Sequence, residues 1–556
     1  MLAEDERSKV HAAMDTPLST GRLTARDRLL LTIVSLVVLV PGTFGVSLTD
    51  RDEGWYAQVS REMLEDEHWL IPHYLGEPWI AKPPLLNWCV AASFAAFGTG
   101  AFAARLVSVL AMLGAAHLLA TLMAELGSRR AALIASISFV TAGLPAIVGK
   151  LVLTDALLLF WCVSASLLLW RIANSGASVT RCVGFWVCVG AGLLTKGPAI
   201  ILAVGPLGLG LLALRGWKRW LLNPKLWLTS PLCLVVALPW YLYVARHAGP
   251  TLWGQFVGYE IVSRLVSTPH GHGGCPGYYV IVSLAGWLPW TVLVPGAVLE
   301  TWAARRTERV AWVLLLWCGV PWLLLELIPS KLPHYILPCY VPLAVMLGRM
   351  WDTGLERTAS NGQRAVLGLW VGVGVALGAA LVVAAIHWRG LAWALSAGVA
   401  GSVMVAGFVI VGVFVKRRRW RASWTTAVAT TCAFHALAGL WVLPQFEPYR
   451  LSRRIAEQAN ALDDGAASIY VSGYTEPTMF FYLERPARVL ASGELAGALR
   501  DRSGSCIVIA RDENLRAAGV KPADQADWHS VEGVNYVKGC QETVWVGRLP
   551  TNVPPE

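Results

Sequence analysis

Residues 150–170 read KLVLTDALLLFWCVSASLLLW, an acid, Asp155, set at the mouth of a long apolar run. A carboxylate there has two readings: it caps the helix that follows, or it is retained for chemistry despite the cost of ionisable groups near a membrane. Similar apolar runs recur from about residue 29 to about residue 443. Hydrophobic residues make up 55% of the 556-residue chain, charged residues only 15%, and mean hydropathy is +0.53. Soluble domains carry about 25% charged residues, so a cytosolic enzyme is excluded. At about 20 residues per span the apolar stretch accommodates a dozen or more transmembrane helices.

Spanning helices are expected to begin near Leu29, Leu106, Ala131, Leu157, Val183, Ala199, Leu226, Gly277, Val310, Tyr335, Ala365, Leu391 and Trp424, thirteen in all. The apolar segment Pro84–Gly98 is short and follows the polar stretch Thr49–Lys82, so it is expected along the membrane surface. With residues 1–28 cytoplasmic and the spans alternating, the inner segments carry 24 Lys/Arg. These include Arg7, Lys9, Lys218, Arg219, Arg357 and the run Lys416–Arg419. The short outer loops carry six, namely Lys150, Lys196, Arg246, Arg264, Lys331 and Arg389. Positive residues are retained inside, and this asymmetry supports the odd count. The same clustering makes the net charge of +10 a feature of topology, not of a nucleic-acid partner. The run from Leu29 is read as a retained signal anchor, because no cleavage site follows it.

Thirteen crossings place the C-terminus outside the membrane. From about Pro444 the charged residues return and apolar runs shrink to strand length at Ser468–Ser472, Ala487–Leu490, Cys506–Ala510 and Thr543–Val546. Helical stretches at Leu451–Leu462 and Gly493–Arg500 alternate with them. The expectation is a polytopic α-helical membrane domain over 29–443 followed by a small extracytoplasmic α/β domain over 444–556. Eleven scattered cysteines form no CxxC pair and no zinc spacing. Cys506 and Cys540 either pair on the oxidising side or remain free.

The same parity gathers ionisable residues on one face. These are Asp50, Asp52 and Glu53 after the first span, Lys82, Asp155, Lys196, Arg264, His270 and His272, and Lys331 with His334. Each alone reads as a solvated loop charge. Together, carboxylates able to act as a general base and cations able to hold a leaving phosphate point to sugar transfer from a lipid-linked sugar phosphate. A single displacement at C1 inverts that carbon. The 27 Trp suit interfacial belts as well as sugar stacking.

On these residues the chain resembles the C-type glycosyltransferases, within the branch of protein O-mannosyltransferases and lipid A aminoarabinose transferases. The resemblance rests on RDEGWYAQVSREML (Arg51–Leu64), HWLIPHYLGEPWIAKPPLLNW (His68–Trp88), LTDALL (Leu153–Leu158), GLLTKGP (Gly192–Pro198) and SKLPHYILPCYVPLA (Ser330–Ala344). The long outer loop with Arg264, His272 and Tyr278–Tyr279 adds to it. It implies a catalytic role for Asp52, with Glu53 beside it, and for the second-loop acid Asp155. It implies that Lys82 of the KPP motif lies near the lipid phosphate, and that Tyr56, Lys196, Arg264, His272, Lys331 and His334 bind substrate or phosphate. The implied partners are a polyprenyl-phosphate sugar donor, a glycolipid or protein acceptor, and the bilayer.

Two positions depart from the aminoarabinose pattern: Ala81 stands where an acid usually precedes the KP lysine, and Trp55 where Arg is frequent. No metal is assigned, although Asp52, Glu53 and the histidines could supply ligands. The competing function is a multi-pass transporter or flippase of a lipid-linked or anionic substrate. Transporters tend to carry internal repeats with acids near the midplane, and here no repeat is found and the acids cluster at one edge.

Overall fold

The computed structural model describes residues 21–215, 220–263, 267, 273–353, 361–387, 391–502, 504–522, 527–535 and 538–550. Arg7, Lys9, Lys218, Arg219, Arg357 and Arg389 of the charge pattern lie outside them. The chain forms two compact units. The first comprises Met1–Thr43, Ile80–Leu86 and Arg105–Val442; the second comprises Phe44–Trp79, Asn87–Ala104 and Leu443–Glu556. The stretch Phe44–Trp79 therefore belongs with the C-terminal segment, where the sequence suggested a boundary only at 444.

The first unit is helical. Among the described residues eight helices are long and apolar enough to cross a bilayer, Ala101–Leu126, Thr154–Ser175, Val179–Lys196 and Arg309–Leu327 among them. The chain is a multi-pass membrane protein. Several expected spans are shorter or broken. Ala25–Leu39 has 15 residues and Arg129–Thr141 has 13. At 1.5 Å per residue the latter covers about 20 Å of a core about 30 Å thick. Its apolar run continues in sequence, but the backbone turns extended at Ala142 before a second helix, Gly143–Val148. Pro145 is the physical reason, because its ring would clash with the carbonyl of Thr141 in a continuous helix. Likewise the run from Gly277 divides into Tyr278–Gly286 and Leu293–Ala304, with Pro289 between them.

Thr154–Ser175 and Val179–Lys196 form an antiparallel hairpin. Gly176, at φ +88°, ends the first helix, and the Ser178 side chain caps the second by accepting from the Arg181 amide. So short a reversal makes the first turn of one helix neighbour the last turn of the other. Asp155 and Lys196 thereby come to the same end.

The second unit is built on a five-stranded sheet, in the order β4 (Ala487–Val489), β3 (Ser468–Ser472), β5 (Cys506–Arg511), β7 (Cys540–Leu549) and β6 (Trp528–Asn535). β3 pairs in parallel with β4 and β5, and β7 pairs antiparallel with β5 and β6. Alternation along β5 sends Ile507 and Ile509 into one core and Cys506, Val508 and Ala510 into another. Helices cover both faces, so β5 is buried throughout from Cys506 to Ala510. The first core also takes Leu451, Ile455, Met479 and Phe480 from helices Leu451–Leu462 and Pro477–Tyr482. Tyr74 and Leu75, at the tip of the hairpin β1 (His73–Tyr74) and β2 (Glu77–Pro78), pack against it.

The register decides the fate of the two cysteines. Cys506 lies opposite Leu549, and Cys540 begins the same strand nine residues earlier. At about 3.3 Å per residue that is about 30 Å, far beyond the reach of a disulfide. Both are free thiols, Cys506 buried and Cys540 exposed. Denatured, unreduced protein is expected to label with maleimide at both positions; protection of the two until reductant is added would contradict this register.

Candidate active site

Asp155 lies in the first turn of its helix, 6% exposed, and its side chain makes no cap. Instead both carboxylate oxygens accept from the Lys196 ammonium, at 2.7 and 2.8 Å. The Thr154 hydroxyl donates to Oδ2 at 3.4 Å, and His334 Nε2 stands 3.6 Å from that oxygen. Lys196 projects from the last turn of its helix, where the macrodipole favours a cation, and Gly197 at φ +60° ends that helix. Its ammonium also lies over the Tyr335 ring, 4.5 Å from the centroid. A buried pair of this kind is costly to break, because the survivor is left as an uncompensated charge.

Asp155, Lys196 and Tyr335 line a cavity of about 590 Å³ in the first unit. Lys82, Asp155, Lys196, Ser330 and Tyr335 supply its polar side chains. Leu158, Leu202, Phe256, Leu324 and Ile328 represent the rest, which is predominantly apolar. Among these lining groups Asp155 and Lys196 are paired with each other, and Lys82 is the second lysine. The Lys82 ammonium donates to the Ala81 carbonyl at 3.0 Å.

Lys331 is also buried, at 5% exposure, but its ammonium donates to the carbonyls of Glu326 (2.7 Å) and Ile328 (2.8 Å). It caps the C-terminal end of Arg309–Leu327. Glu326 in turn accepts from the amides of Gly277 (3.2 Å) and Tyr279 (3.0 Å), at the start of Tyr278–Gly286. Sequence reasoning missed Glu326, an acid inside an apolar helix, and Tyr335, the neighbour of His334. Arg264, His270 and His272 lie outside the described residues.

The remaining candidates belong to the second unit. Asp52 is the first residue of helix Asp52–Glu65 and is exposed. Glu53 is 1% exposed, and its Oε2 accepts from the amide (2.8 Å) and hydroxyl (2.9 Å) of Thr49. That carboxylate holds the turn leading into Asp52. Arg51 between them adopts φ +66°, which costs an L-residue about 1–3 kcal/mol. Tyr56 is buried with its ring edge-on to Trp79, and Trp55 tilts against the same indole. Burial, and then the neighbouring Asp50 carboxylate, push the Glu476 acid above the usual carboxylate range. Among the described residues no group of three or more His, Cys, Asp or Glu is arranged to hold a metal.

A family model described as dolichyl-phosphate-mannose-protein mannosyltransferase matches residues 33–249. An undecaprenyl phosphate-alpha-4-amino-4-deoxy-L-arabinose arabinosyl transferase of Aeromonas salmonicida (strain A449) is 30% identical over 411 residues, 72% of this chain and 73% of that protein. The chain belongs to this family. The relative of the same name from Enterobacter sp. (strain 638) is 33% identical over 321 residues, 57% of each chain, so this chain spans less than two thirds of that relative's length. The crystal structure of ArnT from Cupriavidus metallidurans bound to undecaprenyl phosphate superposes with a TM-score of 0.76 at 21% identity. The match covers 95% of this chain and 99% of that one and shows the shared fold. The resemblance read from the motifs is thereby shown to be a family relationship.

Replacing one member of the buried pair should hurt more than replacing both. Lys196→Met is expected to destabilise the protein by about 3–5 kcal/mol, and Lys196→Met with Asp155→Leu by much less. Thermal unfolding in detergent checks this; equal losses in the single and double variants would show that the pair is not coupled.

Proposed function

We propose that the protein is an inverting glycosyltransferase that moves a sugar from a polyprenyl-phosphate carrier to a glycolipid, protein or glycan acceptor at the outer face of the inner membrane. The observation that carries this reading is the cavity of the first unit, apolar over most of its lining, with the lysines Lys82 and Lys196 and the acid Asp155 among its polar groups. Such a lining suits an isoprenoid chain ending in a phosphate, and an undecaprenyl phosphate is what the Cupriavidus structure binds. The relatives are named as arabinosyl transferases, which favours transfer over transport.

In this reading Asp52 takes the proton from the acceptor's nucleophilic oxygen or nitrogen as that atom bonds to C1 of the sugar. The bond from C1 to the phosphate oxygen breaks, and the polyprenyl phosphate departs with the electron pair. Lys82 compensates the charge that develops on it. Lys196 is already committed to Asp155 on both oxygens, so its part is to fix that acid. Thirteen crossings, with the N-terminus cytoplasmic and residues 444–556 outside, complete the proposal; the Lys/Arg asymmetry of the loops supports it.

Purified protein given a polyprenyl-phosphate pentose and a lipid A-type acceptor should release polyprenyl phosphate and yield a glycolipid heavier by one sugar of inverted configuration, read by mass spectrometry and NMR. Asp52→Asn should lower kcat by about two to four orders of magnitude in folded protein. Lys82→Ala should raise the donor KM about tenfold to a hundredfold, the worth of a charge-assisted contact. Wild-type turnover by Asp52→Asn would end the assignment of the base. In a deletion strain, the loss of one sugar from envelope glycolipids or glycoproteins would name the acceptor.

A further inference from the structure

The chain that leads into Asp52 is held by residues about 400 positions away in the sequence, all within the second unit. The Ser47 amide (2.9 Å) and hydroxyl (3.1 Å) donate to Glu447 Oε1, while Arg450 donates to the Ser47 carbonyl at 2.6 Å. The Leu48 amide donates to the Tyr482 hydroxyl at 2.9 Å. The Thr478 hydroxyl donates to the Thr49 carbonyl at 2.9 Å. The Ser452 hydroxyl donates to Asp50 Oδ1 at 2.5 Å and lies 2.7 Å from the Tyr474 hydroxyl. Every residue from Ser47 to Asp50 is thus fixed by a group beyond residue 446, and Arg51, strained at φ +66°, comes next.

The helix that begins at Asp52 is held as tightly. A Cβ on Gly54 would fall 2.5 Å from both the amide nitrogen and the hydroxyl oxygen of Thr478, so only glycine permits this approach. Nine residues on from Asp52, Arg61 donates to the carbonyls of Phe481 (3.2 Å), Leu483 (2.7 Å) and Glu484 (3.3 Å), capping the end of helix Pro477–Tyr482. Thr478 is 1% and Ser452 3% exposed, so the bonds to Thr49 and Asp50 are shielded from competing water.

We propose that Thr478, Tyr482 and Ser452 are positioning residues for the transfer reaction, and that the C-terminal segment acts in catalysis by setting the backbone that presents Asp52. This rests on the reading of Asp52 as the catalytic base. Misplacing a reacting group by about 1 Å can cost about a hundredfold in rate. Positioning through Asp52 also predicts non-additivity, because a clamp has nothing to position once the carboxylate is gone.

The test measures kcat, donor KM and thermal unfolding on the full-length protein. Thr478→Val and Tyr482→Phe are each expected to lower kcat by about tenfold or more, with donor KM within about twofold of wild type. Thr478→Ser restores the donor hydroxyl and should restore the rate. Asn514→Ala, on the opposite core of the same sheet, should lower the unfolding temperature without changing kcat, which separates positioning from general loosening. Placed in the Asp52→Asn background, Thr478→Val should cause no further loss. Wild-type kcat in Thr478→Val and Tyr482→Phe alongside a dead Asp52→Asn would overturn the proposal alone. Full additivity with Asp52→Asn, or loss of rate in proportion to unfolding temperature across all variants including Asn514→Ala, would overturn it too. Wild-type turnover by Asp52→Asn would instead remove the reading beneath it.

Discussion

The buried ion pair between Asp155 and Lys196 constrains the membrane unit more than any other interaction described. Neither residue could be kept charged alone in that setting, where desolvation of one ion costs several kcal/mol. The pair exists because a two-helix hairpin returns its last turn to the level of its first. Its existence determines the character of the neighbouring cavity. Beyond that pair the lining offers a second lysine, Lys82, and a large apolar surface. An amphiphilic anion suits that surface better than a soluble one.

The pair has a structural counterpart in Glu326 and Lys331. Five residues apart at the end of one helix, they do not pair through their charged side chains: each satisfies backbone groups at a helix terminus. Glu326 takes the amides that open one helix, and Lys331 the carbonyls that close another. Both are charged residues retained close to apolar helices for architecture. The comparison shows why an ionisable residue near a membrane suggests a function but does not by itself reveal one.

What could be read from the sequence follows from this distinction. The apolar runs and the charge asymmetry revealed a multi-pass chain. The parity of the expected spans put Asp155 and Lys196 on one face, and the hairpin that brings them into contact is a finding of the structure. For Lys331 the resemblance implies a role in binding substrate or phosphate; the turn that curls its ammonium onto the carbonyls of Glu326 and Ile328 is a tertiary fact that no motif displays. Glu53 was read as part of the catalytic set because it adjoins Asp52, yet successive helical residues point about 100° apart, and it turns inward to Thr49. The breaks at Ala142 and near Pro289 were visible as prolines but were outweighed by unbroken apolarity. The composition change near residue 444 marked only the later part of the second unit. Its earlier parts, Phe44–Trp79 and Asn87–Ala104, carry no mark of membership, because their partners lie hundreds of residues downstream.

That separation bears on how the protein is made. Ribosomes add about 5–20 residues per second, so the roughly 400 residues between Ser47 and Glu447 take about 20–80 s to synthesise. Through that interval the strained turn at Arg51 has only the local Glu53–Thr49 bonds and none of its distant supports. On the proposed positioning role, competence arrives late, with the final fifth of the polypeptide, and a chain already threaded into the bilayer stays inert until the residues that clamp Ser47–Asp50 have folded.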